Sequence, residues 1–163
     1  MLKQQKGNIM SRFTINRRYL LATAISVLAP PSMNAWAATY PAIKAYRNPG
    51  CGCCEKWAAQ LKQAGFDITM EDDPNLEARR VAAGVPTDIA GCHTAFMGDT
   101  IIEGHVPVED IKRFLAEKPD ARGLAVPGMP AESPGMENGG AKVPFKVLVF
   151  KTDGTWSVFA EYT

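Results

Sequence analysis

The stretch Ile43–Gly65, IKAYRNPGCGCCEKWAAQLKQAG, decides how this chain is read. Ile43-Lys-Ala-Tyr46 alternates apolar and polar residues after Pro41, which is the pattern of a short strand. Arg47-Asn-Pro-Gly50 has the composition of a loop. Beyond the cysteines, Trp57, Ala58, Leu61 and Ala64 recur at helical spacing, and Gly65 stands where a helix of that period stops. Phe66–Met70 alternates again and predicts a return strand. A strand, a Cys-x-x-Cys loop, a helix and a return strand are the opening of a thioredoxin-like fold.

The rest of the chain extends that plan. Residues 75–84, NLEARRVAAG, predict a second helix ending at Gly84. In Cys92–Val106, CHTAFMGDTIIEGHV, two apolar runs flank Gly98-Asp99, a two-residue hairpin turn with glycine first. Residues 107–118, PVEDIKRFLAEK, open with proline and carry Ile111, Phe114 and Leu115 on one face, so they predict a third helix. Residues 119–142 are rich in Pro and Gly and read as a long loop. VPFKVLVF and TWSVFAEY then flank an Asp153-Gly154 turn and predict a second hairpin. Trp57, Trp156 and the aromatics of this hairpin are expected in the core. The expected fold class is α/β and thioredoxin-like: a central mixed sheet flanked by helices, with an extra C-terminal β-hairpin.

The chain has 163 residues and 46% hydrophobic residues, enough for one domain with a real core. Its formal net charge of +1 gives no reason to expect nucleic acid as a partner. The charge is unevenly placed. Of 18 basic residues, five (Lys3, Lys6, Arg12, Arg17, Arg18) lie in residues 1–37, which hold no acid; 13 basic and 17 acidic residues remain. The apolar run YLLATAISVLA follows Arg18, and Ala35-Trp-Ala37 offers a small-x-small cleavage pattern, so residues 1–37 read as an export signal. Asn16-Arg-Arg-Tyr-Leu-Leu21 resembles the twin-arginine signal, with Leu20 where phenylalanine is usual; an ordinary Sec signal is the alternative. The apolar run is too short for a permanent span. The mature domain is then residues 38–163 in the periplasm, where disulfides persist.

Three of the four cysteines fall within Cys51-Gly-Cys-Cys54. A helix starting near Cys53 offers free N–H groups and a positive dipole end, which favour thiolate, and thiolate is both nucleophile and metal ligand. Cys51 and Cys54, three apart, suit a redox disulfide. Cys53 has no place in a simple dithiol switch and within a regular turn points roughly 100° from Cys54. It is either buried filler or part of a site that holds metal across the helix end.

Cys92, His93 and His105 form a second group, with the only two histidines of the chain. If Gly98-Asp99 is the turn, Cys92 lies opposite His105 on one face, with Cβ atoms about 5 Å apart, and His93 points to the other face. A slip of one residue brings His93 opposite His105 instead or removes the pairing. Each histidine is otherwise a surface or hydrogen-bonded strand residue. Met129 and Met136 sit in Pro-Gly-Met contexts; they are either thioether ligands or apolar plugs for the loop. Thiolate, thioether and imidazole together favour copper, with zinc second.

GCGCCEKW, GVPTDIAGCHT, EGHVP, GLAVPGMPAESPGME and VLVF with WSVFAEY together resemble a small exported bacterial family, the CopG-type periplasmic copper-resistance proteins. The resemblance spans nearly all of residues 41–162. It implies a thioredoxin-like domain that binds copper through Cys51, Cys53 and Cys54 and interconverts copper(I) and copper(II). The later family motifs fall on Cys92, His93 and His105. The expected function is periplasmic copper binding in copper resistance, by one or more ions, with other copper-handling proteins or a membrane copper exporter as partners. The rival from another class is a thiol-disulfide oxidoreductase that uses Cys51 as nucleophile and Cys54 as resolving thiol.

Overall fold

A computed structural model describes residues 40–141 and 143–163; the expected export signal lies outside the described residues. Strand β1 is Ile43–Arg47, helix α1 Gly52–Gln63, β2 Ile68–Asp72 and α2 Leu76–Ala82. A short 3-10 turn, Thr87–Ile89, leads to β3 (His93–Met97) and β4 (Thr100–Glu103). Helix α3 is Val108–Glu117, and β5 (Gly123–Ala125), β6 (Phe145–Phe150) and β7 (Trp156–Tyr162) close the chain. The strands form one seven-stranded mixed sheet in the order β2-β1-β3-β4-β5-β6-β7. β1 is parallel to β2 and antiparallel to β3, and β4 is parallel to β5; β3–β4, β5–β6 and β6–β7 are antiparallel.

The period of the sequence sorts residues between the two faces. Ile43 and Ala45 of β1 are buried while Lys44 is exposed. With Ala95, Met97 and Ile102 they meet Trp57, Ala58 and Leu61 of α1 and Ile111 and Phe114 of α3. Burying a side chain of that size stabilises the fold by about 1.5–3 kcal/mol. On the opposite face Val85, Ile89, Ile101, Ala125, Leu148 and Phe150 form a second cluster.

The β3–β4 hairpin has the expected register, with Met97 opposite Thr100 and Phe96 opposite Ile101. Two expectations are corrected. Residues 119–142 are not all loop: Gly123–Ala125 is a strand between β4 and β6, so the C-terminal hairpin continues the main sheet. Three residues carry too little period to announce themselves; β5 is specified by its neighbours on both sides. Trp156 is 47% exposed rather than core, with its Nε1 donating to Asp88 Oδ2.

Candidate metal centre

Cys51 is the N-cap residue of α1, and Cys53 and Cys54 belong to its first turn. Cys92 precedes β3, in a bend that β3 delivers to the same end of the sheet. The four sulfurs meet there. Cys51 and Cys54 are joined as a disulfide, with α-carbons 5.6 Å apart. Cys92 Sγ lies 3.1 Å from Cys51 Sγ, 3.0 Å from Cys54 Sγ and 3.5 Å from Cys53 Sγ, and Cys53 Sγ lies 3.3 Å from Cys51 Sγ. Cys53 is half-buried where Cys54 is fully buried, and its sulfur reaches Cys51 and Cys92. Burial pushes the Cys92 thiol up to about 12, followed by its contact with Cys53 and the charge of Glu103; Arg80 opposes this.

Both histidines are fully buried beside the sulfurs. The ligand atoms of Cys54, Cys92, His93 and His105 all lie within 4.8 Å of one another. The structure keeps Cys92 beside His105, but the expectation that His93 points to the other face is corrected. The two imidazole rings are 5.1 Å apart, and His93 also packs 4.1 Å from the Trp57 ring, on the α1 side. The ladder ends where the Gly104 N–H donates to the His93 carbonyl, and Gly104 takes φ +68°. That left-handed residue breaks the strand alternation, so His105 turns back over His93.

The protonation of the two rings follows from their surroundings. Pro134 O, a carbonyl, only accepts, so His105 Nδ1–H donates to it at 2.7 Å and Nε2 keeps its lone pair. His105 Nε2 and both nitrogens of His93 are buried with no hydrogen-bond partner among the described residues. Burial lowers the pKa of His93 well below the usual imidazole range, helped by His105 and Arg80. Burial also lowers that of His105, against the raising influence of Pro134 and Glu137. Both rings are neutral at neutral pH, the form that binds metal.

The loop after β5 covers the helix end. Besides its bond to His105, it places Gly135 so close to α1 that a Cβ there would lie 2.6 Å from Cys53 O and 2.8 Å from Trp57 N. Met136 follows, half-buried; Met129 is 58% exposed.

Sequence reasoning missed the groups that hold this site in place. Arg47 donates to Cys51 O at 2.7 Å and also to Asp72 and Glu55. Glu103, with no exposed surface, accepts from Arg80 Nε, Gly91 N–H and Thr94 Oγ1 at 2.7, 2.7 and 2.6 Å. The one available signal was an acid inside the apolar run TIIEGH.

The donors suit a soft ion. An unpartnered buried polar group costs about 1–3 kcal/mol, and three stand side by side here. An ion held between the sulfurs and the imidazoles would take the lone pairs of His105 Nε2 and of one His93 nitrogen. Cysteine and neutral imidazole together suit copper or zinc rather than calcium or magnesium. The residues therefore fit a soft metal ion.

The comparisons with known proteins bear on which family uses this arrangement. Residues 89–136 match the family described as protein of unknown function, DUF411. No curated protein matches. Two solved structures of copper resistance protein CopG, Form 1 and Form 2, are each 40% identical to this chain, with TM-scores of 0.71 and 0.72. The matches cover 76% of this chain and 98% and 99% of theirs. With near-complete coverage at that identity, the chain belongs to the CopG copper resistance protein family.

Proposed function

We propose that this chain is a periplasmic copper-binding protein that takes part in copper resistance. The observation that carries the reading is a cluster of four cysteine sulfurs that shares Cys54 and Cys92 with two buried imidazoles, whose nitrogens include three without a partner among the described residues. The ligands assigned are Cys51, Cys53, Cys54, Cys92 and His105 through Nε2, with His93 completing the set. Met129 and Met136 are assigned as thioether donors on the loop that covers the site. More than one ion fits this many donors. The fold is assigned as thioredoxin-like, supported by a β1-α1-β2 unit and a β3-β4-α3 unit in the order β2-β1-β3-β4.

Copper(I) capture by all four sulfurs requires the Cys51–Cys54 bond to be open. A dithiol reductant supplies two electrons and two protons, giving two thiols. The N-terminus of α1 then favours thiolate at its first turn, and each copper ion displaces thiol protons. Neutral imidazole beside thiolate also accepts copper(II), so the site suits either oxidation state, and their interconversion passes one electron per ion to or from a redox partner outside this chain. Export through residues 1–37 brings the mature domain, from residue 38, to the periplasm. There it passes copper to other copper-handling proteins or to a membrane exporter. Among the described residues no helix is long and apolar enough to cross a membrane.

Titration of the reduced protein with copper(I) against a competing chelator tests this. Affinity unchanged by Cys53→Ser or His105→Ala would remove those residues from the site. The Cys51–Cys54 disulfide favours a second reading, a thiol-disulfide oxidoreductase. Metal-free protein would then exchange disulfides efficiently, losing the activity in Cys51→Ser and keeping it in His105→Ala.

A further inference from the structure

The geometry points to Arg80 and Glu103 as positioning residues for the copper site: a buried ion pair that grips Gly91 and so sets where Cys92 stands. This rests on the reading of Cys92 as a copper ligand. Both polar groups of the Gly91 backbone are taken by the pair. Its N–H donates to Glu103 Oε1 at 2.7 Å, and its carbonyl accepts from Arg80 Nη2 at 2.9 Å. Arg80 Nε closes the triangle on Glu103 Oε1 at 2.7 Å. Thr94 Oγ1 donates to the other carboxylate oxygen at 2.6 Å, so the pair reaches β3 on both sides of Cys92 and His93.

Two features mark this as more than a generic ion pair. The side chains of Arg80 and Glu103 are 7% and 0% exposed, and burying charge in this way rarely adds stability over an apolar pair of similar volume. Gly91 also has no room to relax. A Cβ there would lie 2.6 Å from the Gly104 α-carbon and 3.0 Å from Val126 O. Gly104 immediately precedes His105. The pair therefore fixes Cys92 and, through the contact of the two glycines, its spacing to His105. Cys92 itself lies in a bend outside β3, where beyond the β3–β4 ladder the segment has a single parallel bridge, Gly91 to Gly128, with Gly128 N–H donating to Ala90 O at 2.9 Å.

The test uses the reduced full chain and copper(I) alone as the probe, with affinity read against a chelator and near-ultraviolet absorption reading copper–thiolate bonding. Arg80→Met with Glu103→Leu replaces the pair by apolar groups without stranding a charge. We expect a folded protein, by circular dichroism, with copper affinity at least fivefold weaker and an altered thiolate band. Leu148→Ala, a core change in the opposite cluster, lowers the melting temperature and leaves both readouts as in the parent. A folded double variant that binds within twofold of the parent, with the same band, overturns the inference. If the double variant does not fold, Glu103→Gln decides: at least threefold weaker binding is expected, and parental affinity overturns it. Cys92→Ser run alongside separates the two levels, since parental affinity in that variant overturns the ligand role of Cys92 itself.

Discussion

Replacing His93 by leucine should strengthen the metal-free protein and weaken the copper-bound one. His93 is fully buried, and both of its nitrogens lack a partner among the described residues. A neutral imidazole carries one donor and one acceptor, each costing about 1–3 kcal/mol when buried unsatisfied. Leucine has similar volume and no polar atom, and it meets the Trp57 ring that His93 now packs against at 4.1 Å. Imperfect repacking against that ring takes back about 1–2 kcal/mol. The net expectation is a gain of about 2 kcal/mol, or roughly 5 °C in melting temperature for a domain of this size. Calorimetric melts of reduced protein in chelator measure it. Saturating copper(I) should invert the order, because bound ligand stabilises the parent by RT ln(1 + [L]/Kd) and the variant binds less tightly. A metal-free variant that melts below the parent would refute the reasoning, since His93 would then be stabilising the fold rather than serving the ion.

Four further outcomes follow from the same geometry. Cys92 is held up to about 12 by burial, so at neutral pH the metal-free protein carries it as a thiol. Copper(I) must displace that proton, so affinity should rise with pH by about tenfold per unit for each proton released, and fall with acid; proton release into a weak buffer on copper addition measures it. The raised value also means that metal-free stability declines above pH 9, as the unfolded thiol ionises first and the folded one follows near 12. Gly135→Ala should lift the covering loop from α1, because Gly135 has φ +87° and its Cβ would meet Cys53 O; a loss of about 1–3 kcal/mol with faster alkylation of Cys53 is expected in reduced protein. Leu61→Ala, at the centre of the α1 contact, should cost about 2–5 kcal/mol in denaturant unfolding without changing copper stoichiometry.

Local signals account for what the sequence revealed. The helix period of Trp57, Ala58 and Leu61 and the alternation of Ile43 and Ala45 placed β1 and α1, and Gly98-Asp99 fixed the β3–β4 register. The crowding of Cys51, Cys53 and Cys54 exposed the centre itself. Groups whose role depends on distant partners stayed hidden. β5 is three residues long and is specified by β4 and β6. His105 stands beside Cys92 as the register implied, but on the same side as His93, because Gly104 adopts positive φ where the close approach of Gly91 and Val126 leaves no room for a Cβ. The Arg80–Glu103 pair joins residues 23 apart, which no local period announces.

X-ray absorption on reduced full-length protein loaded with copper(I) tests the central claim most directly. The account predicts sulfur scatterers around copper, with an imidazole contribution that shrinks in His105→Ala and disappears when His93→Leu is added. A spectrum with nitrogen and oxygen scatterers alone, or one that His105→Ala leaves unchanged, would contradict it.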